Sequence, residues 1–286
     1  VKHRGDVSTG IKLLIDGDLI SYEAASAADM VDEGMERRGW DWTAEHLDKT
    51  IINICEACGV QSPAYIFLTG TGNFRFDIAT VKPYKGNRKG EKPFYLPNVR
   101  MYLQAQYGAV VVNGMEADDA LTITAGRYKP DEVIIASRDK DLRQFPCLQY
   151  SWEVGNQPEW GVEMVDEIGD IHVRRSTKTL KNGEPSKAID KIWGTGLMWF
   201  YTQCITGDTT DNIAGLEGKG AALAYEILHG LKTEKEMFLA VLLAYKGKYG
   251  ELAEERLLEQ GRLLYMCREM KDGKAVMWEF PEEQGE

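Results

Sequence analysis

Eight carboxylates stand where apolar runs end. Asp16 closes the run IKLLI (11–15). Glu116, Asp118 and Asp119 follow AVVV (109–112) in GMEADDALTITA. Asp139 and Asp141 follow EVIIAS (132–137) in SRDKDL, and Asp208 and Asp211 follow an apolar helical stretch in ITGDTTDN. Taken singly, each could be a helix N-cap or a first-turn acid favoured by the helix dipole. Asp18, two residues after Asp16, reads equally well as a cap or a ligand. Gathered on one rim, the eight would repel one another too strongly to stay ionised without compensation. In sequence, Arg138, Lys140 and Arg143 are the nearby cations. Divalent cations would resolve the repulsion, and an all-oxygen donor set without His or Cys favours Mg²⁺ or Mn²⁺ over Zn²⁺.

A single rim requires the right elements beneath it. The runs at 11–15, 64–69, 109–112 and 132–137 are short and apolar, and helical patterns separate them, as in 43–58, after Pro97 and after Glu116. Such strands imply an α/β fold with a parallel central sheet buried by helices on both faces. In such a sheet ligands bind beyond the carboxyl ends of the strands, where these acids fall. From 150 to 195 the pattern changes, and Asn182-Gly183 between two extended arms predicts a hairpin. From 197 onward the pattern is helical with Gly punctuation. We expect an α/β unit over 1–190 and a helical subdomain over 191–286 that contributes Asp208 and Asp211 to the rim.

The chain has 286 residues and a net charge of −11, with 43% hydrophobic residues. Bulk charge excludes a basic nucleic-acid coat protein and a basic membrane-surface protein, but not an acidic enzyme with a local basic track. One such track holds Arg75, Lys82, Lys85, Arg88, Lys89, Lys92 and Arg100, interleaved with Tyr84, Phe94 and Tyr95. A second holds Arg174, Arg175, Lys178, Lys181, Lys187 and Lys191. Cations beside stacking aromatics hold nucleic-acid strands, so the tracks beside an acid cluster point to a polyanion cleaved at phosphate. No apolar run is long enough to span a membrane, and the opening VKHRGDVSTG has no apolar core of a leader. Five scattered cysteines suit a reducing cytoplasm better than a disulfide framework. Cys55-x-x-Cys58 lies in a helical pattern and reads as packing, as do the aromatics of WGTGLMWFY (193–201). Met30 and Met35 are expected on an exposed loop or helix.

LLIDGD, YKGNRK, MEADDA, SRDKDL and GDTTDNIAGLEGKG occur in the order and spacing of the 5′→3′ exonuclease and flap endonuclease family. The chain resembles that family from about residue 11 to 228, and its start resembles the stand-alone exonucleases of short-tailed bacteriophages. The resemblance implies a PIN-like sheet and a C-terminal subdomain with a helix–turn–helix-type DNA-binding motif. It implies two Mg²⁺ (or Mn²⁺) held by Asp16, Glu116, Asp118, Asp119, Asp139, Asp141, Asp208 and Asp211. It makes Lys85 and Arg88 the basic pair under a gateway at 75–105, with Tyr84 able to stack on a base. Arg75, Lys82 and Lys89 join the DNA track. Gly215, Gly218, Lys219 and Gly220, in 207–222, would grip duplex backbone, and that turn could also take K⁺. DNA with a 5′ end or flap is the implied partner, in a bacterial host cytoplasm. The chain departs from the family pattern at Gly70, where many members carry an acid, and at Ala214, where Pro is common. No His lies in a motif, so metals rather than a protein base would generate the hydroxide. Two rivals are a PIN-type ribonuclease and a catalytically disabled structure-specific DNA-binding protein.

Overall fold

A computed structural model describes residues 10–30, 36–176, 184 and 189–282. The elements run β1 (Lys12–Asp16), α1 (Gly17–Asp29), α2 (Trp40–Ala57), β2 (Tyr65–Thr69), α3 (Arg75–Ile78), α4 (Leu96–Tyr107), β3 (Val110–Val112), α5 (Ala117–Ala125), β4 (Val133–Ala136), β5 (Leu148–Ser151) and β6 (Trp160–Met164). Then follow β7 (Ile171–Ser176), β8 (Ile189–Gly194), α6 (Gly196–Thr206), α7 (Ala221–Leu228), α8 (Glu234–Tyr249) and α9 (Ala253–Leu264), with a final small ribbon, β9 (Met270–Lys271) and β10 (Lys274–Ala275).

The main sheet has the order β3-β2-β1-β4-β5-β6. All neighbours are parallel except β5 and β6. The fold is α/β with a mostly parallel central sheet between helices. β1 shows why its sequence is continuously apolar. Leu13 and Ile15 pack with Ile51, Ile54 and Leu103 on one face, while Leu14 packs with Leu121 and Ile135 on the other. Strand periodicity sends alternate side chains to two faces, and both are covered. β3 departs from the expectation of burial on both faces. Among the described residues it pairs only with β2, at the sheet edge, leaving Val110 and Val111 exposed.

A third core surrounds α6, whose residues 197–205 are all buried, and takes in α7, α8, α9 and Trp278 together with Tyr84 and Ile171. Of the WGTGLMWFY aromatics, Trp199, Phe200 and Tyr201 are core, but Trp193 is 41% exposed on β8. β7 and β8 pair antiparallel from Ile171↔Gly194 to Ser176↔Ile189. The predicted Asn182-Gly183 turn, with Lys178, Lys181 and Lys187, lies outside the described residues, as does Met35. Met30 is exposed. Cys55 and Cys58 are buried free thiols, and burial pushes Cys58 up to about 12. Among the described residues, no helix is long and apolar enough to cross a membrane.

Candidate active site

The rim is built at the carboxyl ends of β1 and β4, which are neighbours in register from Lys12↔Val133 to Ile15↔Ala136. Asp16 does two jobs there. One carboxylate oxygen caps α1 by accepting from Leu19 N at 3.0 Å. The other accepts from Ser137 Oγ at 2.8 Å, which ties the ends of β1 and β4 together. Beyond β4 the chain turns tightly, so Asp139 Oδ1 accepts from Asp141 N at 2.8 Å. Asp141 Oδ1 accepts from Gln203 Nε2 of α6 at 2.5 Å, and Trp199 Nε1 donates to Lys140 O at 3.0 Å. Asp118 enters from the first turn of α5.

Charges repel across this rim, with Asp139 acting on Asp16, Asp118 and Asp141 alike. Burial, then Asp18 and Asp139, pushes Asp16 up to about 7. Burial and Asp139 push Asp141 up to about 8, despite Lys140. Asp118 is raised by burial and by Asp16, Asp139 and Glu116, with Lys85 the opposing cation. Asp139 is raised chiefly by burial. Carboxylates pushed together in this way are short of positive charge.

The other acids are compensated by the protein itself. Lys85 sits at φ 54, and its amide donates to Asp211 O at 2.9 Å. Its ammonium bonds Glu116 and lies 3.6 Å from Asp211 Oδ2. Arg88 donates to Asp211 Oδ1 at 2.6 Å. Lys140 donates to Asp208 Oδ2 at 2.5 Å and lies 3.6 Å from Asp141. Burial pushes Asp208 up, but Lys140 and the Thr210 and Asp211 amides outweigh it and hold the carboxyl low. Lys140, in sequence only a nearby cation, and Gln203 both belong to the site. Lys140 lies inside SRDKDL, so its position was visible; Gln203 is a single polar residue in an apolar helix and gave no sign.

Four sequence expectations are corrected. Asp119 is not a free ligand: Arg75 bonds both of its oxygens, at 2.5 and 2.9 Å, and it also accepts from Cys267 N and Glu116 N. Arg75 is fully buried and cannot touch DNA. Tyr84 cannot stack on a base in this arrangement, because its ring is buried and its hydroxyl lies 2.8 Å from both Glu116 Oε2 and Asp211 Oδ2. Gly215 is buried, and its amide donates to Gln260 Oε1 at 2.8 Å. It packs against Gly207, both at positive φ, and a Cβ at 215 would lie 2.2 Å from Gly207 N. These two glycines close the loop that presents Asp208, a backbone role that only glycine fills.

Lys82, Lys89, Gly218, Lys219 and Gly220 are exposed. Asp18 is neither cap nor rim ligand: it pairs with Arg100 and accepts from Thr69 N at 2.9 Å. Gly70 is not an empty seat for an acid. A Cβ there would lie 2.2 Å from Asn113 Oδ1 and 2.7 Å from Val112 O.

The four under-compensated carboxylates fit a hard divalent cation in donor type and in charge. Among the described residues, no three His, Cys, Asp or Glu side chains close into a preformed metal cage.

No family model matches the chain. DNA polymerase I of Bacillus subtilis is 26% identical over 253 residues, covering 85% of this chain and 26% of that protein. The exonuclease of Escherichia phage T7 is 23% identical over 283 residues, covering 93% of this chain and 83% of that protein. A protein named 5′-3′ exonuclease from Bacillus subtilis is 22% identical over 255 residues, covering 85% of this chain and 77% of that protein. Of the curated proteins similar to this chain, two are named 5′-3′ exonuclease, one exonuclease, one exodeoxyribonuclease and two DNA polymerase I. The chain spans about a quarter of the length of the polymerases it matches.

Proposed function

We propose that this chain is a metal-dependent 5′→3′ exodeoxyribonuclease of phage type, hydrolysing phosphodiester bonds near 5′ ends of duplex or flapped DNA. The observation that carries the reading is the cluster of Asp16, Asp118, Asp139 and Asp141, short of positive charge and flanked by Lys85 and Arg88. Glu116, Asp208 and Asp211 complete the rim. Two Mg²⁺ or Mn²⁺ held by these acids would acidify water and offset charge on the phosphate. Lys85 and Arg88 contribute charge-assisted hydrogen bonds to the scissile phosphate, whose charge grows in the transition state. Their bonds to Glu116 and Asp211 hold both cations at the rim before substrate arrives.

The segment 207–222 acts in this reading as a helix–turn–helix-type contact to duplex backbone, through the exposed Gly218, Lys219 and Gly220, and takes K⁺. It belongs to a helical subdomain over 191–286 packed on a PIN-like unit over 1–190, whose gateway spans 75–105. Lys82 and Lys89 extend the DNA track. Backbone contacts carry no base readout, so cleavage is largely sequence-independent and salt-sensitive. Work on phage or host DNA places the protein in the bacterial cytoplasm. Gly70 lends no support to a disabled site, because its position has no room for a side chain.

Matched DNA and RNA duplexes with labelled 5′ ends test the reading. DNA should yield labelled mononucleotides or short flap products, and RNA should not. Preferential cleavage of RNA would replace the proposal with a ribonuclease.

A further inference from the structure

Beside the acid rim, on its β5–β6 side, lies a cleft of about 570 Å³. Arg143, Trp160, His172 and Trp193 line it, together with the carboxylates Glu159, Glu163 and Asp170. The Arg143 guanidinium lies over the Trp160 ring, 4.3 Å from its centroid. Lys85, Arg88 and Lys140 are each tied to a carboxylate. Among the described residues, Arg143 has no ion pair and no side-chain hydrogen bond, although it senses the charges of Asp139 and Glu163. Glu163 is itself occupied by Trp160 Nε1 at 2.7 Å.

The opposite wall repeats the theme. His172 and Trp193 are cross-strand partners in the β7–β8 hairpin, with ring centroids 5.8 Å apart. Two residues along, Arg174 is paired with Lys191. Strand alternation puts this basic rung on the same hairpin face as Trp193. Like charges directly opposite cost stability, so an anion on this face would relieve them.

We propose that this cleft binds single-stranded DNA, with Arg143 taking a backbone phosphate and Trp193 stacking on a base. The proposal rests on the nuclease reading and deepens it, because Arg143 of the cleft lies close enough to the rim to feel the charge of Asp139. An unpaired guanidinium braced on an indole is already oriented for phosphate, and an exposed indole offers any base a face.

The test is fluorescence anisotropy of a short 5′-labelled oligo(dT) in EDTA, with wild type, Arg143→Gln and Trp193→Ala. Melting curves confirm that each variant is folded. Trp193→Ala should weaken binding by about tenfold. Arg143→Gln should weaken it and make the slope of log affinity against log salt shallower by about 0.7. An oligonucleotide with abasic sites should lose the difference between wild type and Trp193→Ala. Wild-type affinity and salt slope in both variants would overturn the proposal. Nucleotide release with Mg²⁺ is read separately. Binding through both residues without release overturns the nuclease reading and leaves the cleft standing, whereas release with unchanged binding in both variants does the reverse.

Discussion

Arg75→Ala should unfold the protein far more readily than it disturbs contact with DNA. Arg75 is 0% exposed, and its guanidinium bonds Asp119 twice, Leu263 O at 3.0 Å and Tyr265 O at 2.8 Å. These bonds pin α3 and α5 to the chain at the end of α9. Truncation leaves a buried carboxylate without its cation and two carbonyls without donors. Removing one partner of a buried ion pair costs about 3–5 kcal/mol, and the orphaned carbonyls push the total to the top of that range. For a chain of this size that corresponds to a fall in melting temperature of about 10 °C or more. The pH dependence should also change sign. In the wild type, burial pushes Asp119 up, but Arg75 outweighs it and holds the carboxyl below its ordinary value. That stabilisation is present at neutral pH and is lost as pH falls through the folded-state value. Without Arg75, burial raises Asp119, and stability falls as pH rises instead. Circular-dichroism melts from acid to neutral pH read both effects. A variant that melts within about 2 °C of wild type but binds DNA poorly would refute the reasoning and restore Arg75 to the DNA track.

Gly70→Asp should destabilise the fold by about 1–3 kcal/mol without improving metal binding, because the new side chain meets Val112 O and Asn113; tighter Mn²⁺ binding at unchanged melting temperature would contradict this. Asp16 and Asp141 are raised above their unfolded values to about 7 and about 8, so without cations the folded state loses stability as pH climbs through that window. Added Mg²⁺ should therefore raise the melting temperature more at pH 8.5 than at pH 6, and equal shifts would count against the metal assignment. Lys85→Ala should lower turnover more than DNA affinity; equal losses would make Lys85 a binding residue only.

The sheet was legible because its strands are buried on both faces, so LLI in β1 and VIIA in β4 are apolar without interruption. Asp16, Asp139 and Asp141 were legible as neighbours because they closely follow β1 and β4, which pair side by side. What escaped depends on distant partners. Arg75 sits in a basic track, and nothing local shows that it folds inward onto Asp119, 44 residues away, and onto Leu263 O, 188 residues away. Asp119 stands in a row of acids, and only the tertiary fold separates it from Asp118. Gly215 reads as a backbone grip until Gly207 and Gln260 are seen against it. Tyr84 lies between basic residues in the sequence but is drawn under Glu116 and Asp211 by the third core.

If the rim acids act through divalent cations, as proposed, the direct test is nucleotide release from 5′-labelled duplex DNA, with Mg²⁺ and with chelator, for the wild type and Asp141→Ala. Release that requires Mg²⁺ and is lost in a folded Asp141→Ala variant is the predicted result. Release that survives the chelator, or that Asp141→Ala retains in full, would contradict the assignment of this rim as the catalytic centre.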